Sequence, residues 1–562
     1  MSRLKQKSNK RTKSLSSRHV SNDNSRIKLE VAINQSLARK DFDVACVLIE
    51  RYVDKYQADL TYHQLCVIAN TLCLNNKLKE AFDLCMRAMR MDANASAAPE
   101  VLFWIYHNKG DKQAFTVIDR LIESGPANRR SDYLYWKAVH ANNQSLPDVV
   151  LACVKEAGGP PDVSHEKYQE IIYSTIAALC ALSRIEEAEE IAGQVPEELM
   201  FETRYLPMAF AEIYKNQGRS DEVVRIYDRF LEKNPGVIEA RWNRALANLT
   251  IGQLDKGWED FECRWDWASF PSTEKKFSIP KWNGQDLSGK SILLWAEQGL
   301  GDQIMFLSLA LPLIQNRQIR VAIEVGEKLV DVVCAWYPEA HVSALENFDC
   351  IDSEQYAEFD YHLPIGSLTK HFLPNIDAVR SRPIRFLRSD QKLKNQLMEL
   401  SGFDPELPLV GICWRSSFIT SQRATIYLNV FAAQKIAAEL EGVCNFVSLQ
   451  YDLKAHEIEV LDQQPNIFIP QDDFYVDVTS HAKHIGICDF VVTAGTVTSQ
   501  LAGIFNRNTL IWGRGAWTFL GQDQYPWYPN HATIQVPVNY SKSSLVVALA
   551  RWLRTAVSSI TV

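Results

Sequence analysis

From residue 29 to about 265, apolar positions recur at helical spacing, separated by short polar connections and with few β-branched runs. This pattern predicts helix after helix. From about 285 it changes to short apolar runs, each followed by an amphipathic stretch. The runs predict strands at 291–296, 319–325, 361–366, 408–414, 445–450, 490–494 and 508–513. Strand–helix alternation over that length argues for parallel sheets in α/β units. The Pro-containing stretch 383–408 divides the region into segments at 285–385 and 405–562. Two nucleotide-fold lobes facing across a cleft follow, with ligands expected at the carboxyl ends of the strands. The longest apolar run, Met305 to Ile314, contains Pro312 and is far shorter than a membrane span, so it reads as a core helix.

The helical half repeats. Tyr214, Gly218, Val223, Tyr227, Phe230 and Pro235 stand at tetratricopeptide-repeat spacings. Gly218 recurs as Gly252 and Tyr227 as Phe261, each 34 residues on, and Asn76 and Gly110 are separated by the same interval. The glycine position requires a tight turn between antiparallel helices, and small residues such as Ala81, Ala88, Ala114 and Ala188 allow close helix approach. Each pair leaves an apolar face that the next pair covers, so the units stack around a concave groove. Between about 125 and 200 the signal degenerates, and "GGPP" at 158–161 breaks the period. There, an ordinary helical domain without a groove is the alternative.

Composition narrows the function. The 562 residues are 46% apolar and 23% charged, ordinary for a soluble chain of two or more domains. Residues 1–28 carry a charge of +8 and the rest −16. An acidic body argues against nucleic-acid binding as the main activity. The tail is too poor in apolar residues to fold and lacks the apolar segment of a secretory signal. It imitates a mitochondrial transit peptide, but a solvated extension is the simpler reading. Twelve cysteines lie singly with no C-x-x-C pair, which suits reduced thiols in a cytoplasmic protein and neither metal binding nor a disulfide scaffold.

Three strand–helix junctions are candidates for chemistry. In "WAEQGLGDQIMF" (295–306), Gly299 and Gly301 permit backbone approach to a ligand, and a helix is expected to begin near Asp302. Asp302 is either a helix N-cap or a general base at the cleft. In "GICWRSSFITSQRATIYLN" (411–429), Arg415, Ser416, Ser417 and Arg423 suit a diphosphate. In "CDFVVTAGTVTSQLAG" (488–503), the N–H groups of Gly495, Thr496, Val497 and Thr498, with the two threonine hydroxyls, are placed to hold a pyrophosphate at a helix N-terminus. The aromatic and glycine-rich stretch 512–529 belongs at the cleft mouth or between the lobes.

The run "GWEDFECRWDW…PKWNGQDLSGKSILLWAEQGLGDQIMF" resembles the junction in bacterial tetratricopeptide-repeat proteins fused to a heptosyltransferase-like (glycosyltransferase family 9-like) domain. "FDYHLPIGSL", "VGICWR", "FVSLQ", "DFVVTAGTVTSQLAG" and "YPWYP" continue it in order, so the resemblance covers roughly 200–535. It implies an α plus α/β chain: a tetratricopeptide-like solenoid (29–265), then a GT-B domain of two Rossmann-like lobes. It further implies an inverting transferase that needs no bound metal or other cofactor, the nucleotide-sugar being a substrate. The family's catalytic Asp falls on Asp302, and its donor phosphates fall on Gly495 and Thr496. Two departures stand out: Gly495 replaces an Asp of the family pattern, and Gln500 replaces a His.

Repeats before a GT-B domain also resemble O-GlcNAc transferases and flagellin glycosyltransferases, whose acceptors are proteins. The leading expectation is therefore sugar transfer to a protein hydroxyl, flagellin being the suspected acceptor, with the repeat groove holding the acceptor. Gly299, Gly301, Arg415, Ser416, Arg423, Gly495, Thr496, Val497, Thr498 and Gln500 are expected at the donor. The rivals are a non-catalytic scaffold or chaperone with a degenerate GT-B domain, and a transferase acting on lipid or polysaccharide.

Overall fold

The computed structural model describes residues 26–562 except 34, 37–38, 40–41, 57–59, 346–355, 420, 514–516, 537–539 and 560–562. Most of the basic tail therefore lies outside the described residues. The chain forms two compact units, residues 1–178 and 179–562.

The first unit consists of antiparallel helix pairs, such as Tyr62–Leu74 with Leu78–Met91 and Ala97–Asn108 with Gln113–Ser124. Its core is small residues between larger ones: Ala69, Ala81, Ala88 and Ala98 are fully buried beside Leu65 and Ile105. A left-handed residue closes the turn inside six of the described pairs. These are Asn76, Gly110 and Ser145, then Ser183, Gly218 and Gly252 in the second unit. The positions are 34, 35, 38, 35 and 34 residues apart. The period thus continues through the stretch where the sequence signal fades, with serine standing where glycine is easier.

The second unit carries the remaining helix pairs, of which Tyr205–Asn216 (α1), Ser220–Lys233 (α2), Ile238–Thr250 (α3) and Leu254–Phe261 (α4) are the most regular. Two parallel sheets follow, giving the expected combination of helical repeats and a two-lobed α/β domain of GT-B type. The first contains β1 (Ser291–Trp295), β2 (Arg320–Val325), β3 (His341–Ala344) and β4 (Tyr361–Pro364) in the order β3-β2-β1-β4. The second contains β5 (Leu409–Cys413), β6 (Asn445–Ser448), β7 (Ile467–Phe468), β8 (Phe490–Ala494), β9 (Asn508–Gly513) and β10 (His531–Gln535) in the order β10-β9-β8-β5-β6-β7.

All seven expected strands are present, and β3, β7 and β10 are additional. Strand order reverses at β1 in one sheet and between β5 and β8 in the other. The three candidate junctions leave those strands, so the topology itself places them at crevices.

The run from Met305 to Ile314 is two short helices, not one. Leu300–Leu307 (α5) ends before Ser308, and Leu311–Gln315 restarts with Pro312 in its first turn, where proline is tolerated. Helix α5 begins at Leu300, earlier than expected, so Asp302 is its third residue and Gly299 its N-cap. One hydrophobic core runs from Trp242, Trp258 and Phe261 through Ile292 and Leu294 of β1 to Val491, Leu501 and Trp527. The opposite face of the second sheet is buried beneath the terminal helix Lys542–Ser558.

Candidate functional site

A cavity of about 740 Å³ opens between the two lobes of the second unit. From the first lobe it is lined by Gly299, Gly301, Asp302 and Lys328. From the second come Ser416, Ser417, Arg423, Gly495, Thr496, Val497, Gln500, Trp517 and Tyr525. The lobes touch closely here. A methyl group on Gly301 would lie 3.5 Å from Val497 Cα and 3.7 Å from Gln500 Cγ, which is ordinary contact distance. The acid of one lobe and the helix-starting turn of the other therefore face a common space.

Asp302 is not the N-cap of α5 but closes its first turn from the third helical position, and it faces the cavity. Its Oδ2 accepts the Gly299 N–H at 3.2 Å, closing the first turn of α5, and its carboxyl also lines the cavity. Burial pushes this carboxyl up to about 6, opposed by the Gly299 hydrogen bond, reinforced by Glu297 and moderated by Arg423. A carboxylate in that range accepts protons near neutrality far better than an exposed aspartate does.

Across the cavity, Thr496 is the N-cap of the helix Val497–Ile504. Gly495 is exposed, and a side chain at that position would meet nothing within 4 Å. Two expectations for this turn change. The Thr498 N–H is given to the Thr496 hydroxyl at 3.3 Å. The Thr498 side chain is fully buried and does not line the cavity, because its position in the first helical turn points it toward the sheet.

Arg415 departs further from expectation. Its guanidinium pairs with Glu457 and donates to the Asp452 carbonyl at 3.0 Å, and it does not line the cavity. Burial opposes ionisation of Glu457, but Arg415 and the Lys454 N–H hold that carboxyl below its ordinary value. Among the described residues, the Lys and Arg side chains that line the cavity are instead Arg423, carried on the short helix Ser421–Ile426, and Lys328. Lys328 lies in the short helical turn Glu327–Leu329 after β2, a segment with no sequence mark of a site. Its Nζ donates to the Tyr475 carbonyl at 2.5 Å and sits 4.2 Å from the Tyr475 ring centre, tying one lobe to the other.

Gln500 is nearly buried, and its Nε2 donates to the Tyr525 hydroxyl at 2.6 Å. That hydroxyl also reaches the Met305 sulfur at 3.7 Å. The aromatic stretch around 512–529 serves both purposes anticipated for it. Trp517, Phe519 and Tyr525 line the cavity, while the Trp517 ring packs against Trp258, Phe261 and Phe306.

A second cavity, of about 770 Å³, lies along α1 and α3. Ala211, Asn216, Tyr227, Asn243 and Ala247 form part of its wall. Arg423, Ile426 and Trp517 line both cavities. Among the described residues, no group of three or more His, Cys, Asp or Glu side chains is arranged to hold a metal ion, and no helix is long and apolar enough to cross a membrane.

No family model matches the chain. It is 28% identical over 312 residues to Protein FlbA of Caulobacter vibrioides, a match spanning 51% of this chain and 50% of that protein. Among solved structures, it is similar to the E. coli ADP-heptose LPS heptosyltransferase II at 12% identity and a TM-score of 0.38, covering 47% of this chain and 99% of that one. The glycosyl transferase family 9 protein from Veillonella parvula shows 10% identity and a TM-score of 0.36, over 49% and 100% respectively.

Proposed function

We propose that the chain is a glycosyltransferase that moves a sugar from a nucleotide-sugar donor to a protein hydroxyl. The observation that carries this reading is the placement of the Asp302 carboxyl and the 495–497 turn on opposite walls of one cavity. In this reading the donor diphosphate sits at the N-terminus of the helix Val497–Ile504, where backbone N–H groups and the helix dipole favour anions. Arg423 and Lys328 add positive charge as the leaving diphosphate develops its own. Asp302 removes the proton of the acceptor hydroxyl, whose oxygen forms the new bond to the anomeric carbon as the bond to the diphosphate breaks. Attack from the face opposite the leaving group inverts that carbon.

The groove along α1 and α3 supports a polypeptide acceptor, because it shares its wall with the cleft and offers small side chains and amides to an extended backbone. The repeat region at 29–265 is accordingly the acceptor-binding part, with flagellin the first acceptor to test.

Intact-mass measurement of flagellin from cells with and without the protein tests the reading. A glycan-sized mass loss reproduced by Asp302→Asn supports it. An unchanged flagellin mass removes that acceptor, and no nucleotide-sugar binding to the purified chain removes the transferase reading itself.

A second reading, a non-catalytic scaffold, draws on the burial of Arg415 against Glu457 together with Gly495 and Gln500. Nucleotide-sugar binding without transfer to any cellular acceptor would favour it.

A further inference from the structure

Beneath the turn that carries Asp302 lies a fully buried ion pair that the mechanism above does not use. Arg264, in the short helix Glu262–Asp266 closing the last helical pair, has no exposed surface. Its Nε and Nη2 donate to the two Glu297 carboxylate oxygens at 2.7 and 2.8 Å. Nη2 also donates to Ser367 Oγ at 2.9 Å, and that hydroxyl donates to Glu262 at 2.7 Å. Glu297 further accepts the Gly366 N–H at 2.8 Å, so the carboxyl ends of β1 and β4 are held by one side chain. Gly366 is needed there: a methyl group on it would lie 2.3 Å from Glu297 Oε1.

A buried pair of this kind loses its hydration on both sides and recovers it only through such complete hydrogen bonding. The residue that follows Glu297 is conformationally unusual. Gln298 has φ of 64°, the left-handed region that residues with a side chain seldom occupy. Its N–H is given to Ser272 Oγ at 2.7 Å, and its carbonyl accepts Gln303 Nε2 at 3.3 Å. The turn from Glu297 to Asp302 is therefore held in an unfavourable shape by tethers at both ends.

We propose that Arg264 and Glu297 are a positioning pair, through which the end of the last helical pair fixes the turn carrying Asp302. The inference rests on Asp302 being the base of the proposed reaction. The helical region would then do more than hold an acceptor: its final segment would complete the active cleft. The groups facing Asp302 are Glu297 on its own turn, Arg423 from the second lobe, and Lys328 and Tyr525 on the cavity wall.

The test follows the carboxyl itself and requires neither donor nor acceptor. The full chain is labelled with ¹³C at aspartate side chains, Asp302→Asn assigns the resonance, and its titration is recorded alongside hydrogen exchange of amides 298–302. Glu297→Gln should lower the Asp302 midpoint by about one unit, since it removes a nearby negative charge, and should speed exchange of those amides at least about tenfold. Arg264→Lys, which keeps the charge but loses the paired donors, should speed exchange less.

If Glu297→Gln does not fold, the charge-free double variant Arg264→Met with Glu297→Leu takes its place; it removes both charges, so its expected signature is the faster exchange of amides 298–302, and unchanged exchange there overturns the inference. An unchanged midpoint and unchanged exchange in folded Glu297→Gln overturn the inference. Absence of sugar transfer counts against the proposed function, and is not read in this measurement.

Discussion

Gly252 and Gly521 meet backbone to backbone: a methyl group on Gly521 would lie 2.7 Å from the Gly252 nitrogen. Both residues have left-handed φ, 80° and 73°. The turn that ends α3 is thus seated directly on the second lobe. Gly521→Ala combines a backbone clash with an unfavourable φ, so we expect a loss of about 2–4 kcal/mol in chemical denaturation. Alanine at Gly218, also left-handed but with open space around its Cα, should cost about 1 kcal/mol.

Asp302→Asn should leave the fold intact, since an amide oxygen can still accept the Gly299 N–H. Transfer should fall by about 10²–10⁴-fold if the carboxyl is the base. In the parent, the rate limited by this group should rise with pH through about 6 and then level off. The sign for stability is opposite. A carboxyl raised on folding binds its proton more tightly in the folded state, so its contribution weakens as pH climbs from the ordinary aspartate value toward about 6. Thermal melts of parent and variant across pH 4–8 should therefore diverge in that window.

The two arginines of the 411–429 segment should separate cleanly. Arg423→Ala removes a cation from the cavity wall and should weaken ADP and UDP binding about tenfold or more by calorimetry. Arg415→Met leaves Glu457 buried without its partner and should act mainly on stability, by about 3–5 kcal/mol. Equal effects of both on nucleotide affinity, with no loss of stability for Arg415→Met, would contradict the geometry.

Gly495→Asp tests the departure from the family pattern. With no atom within 4 Å of the new Cβ, the side chain should be accommodated and the melting temperature should stay within about 2 °C of the parent. Marked destabilisation would show that glycine is required there for the backbone.

The fold was largely legible because the two periodicities differ sharply. Among the expected strands β1, β5, β6 and β8 are buried throughout, whereas β3 and β10 are half-exposed and β7 is two residues long, so these three do not stand out from loops. The helical period was lost in the middle because Ser145 and Ser183 occupy turn positions where Gly110 and Gly218 announce themselves.

At the site, residues tied to backbone geometry were readable: Gly299, Gly301, Asp302, Thr496 and Val497 all reach the cavity, as do Ser416, Arg423, Gly495 and Gln500. What sequence could not show is where long side chains go. Arg415 follows β5 as a phosphate ligand would, but Glu457, 42 residues later, claims its guanidinium. Lys328 reaches the cavity only through tertiary packing, which leaves no local mark on the chain, whereas Tyr525 lies in the aromatic stretch expected at the cleft.

Trp242, Trp258 and Phe261 are buried in the same core as β1 and α5. Cutting the chain just ahead of the first sheet would strip these aromatic rings away and leave a wide oily scar on the remaining lobe. A soluble fragment for crystallisation or ligand screening should instead start upstream of α1, close to the seam at Ala178 and Leu179. The helical part that looks like a detachable appendage is, at its far end, a wall of the two-lobed half.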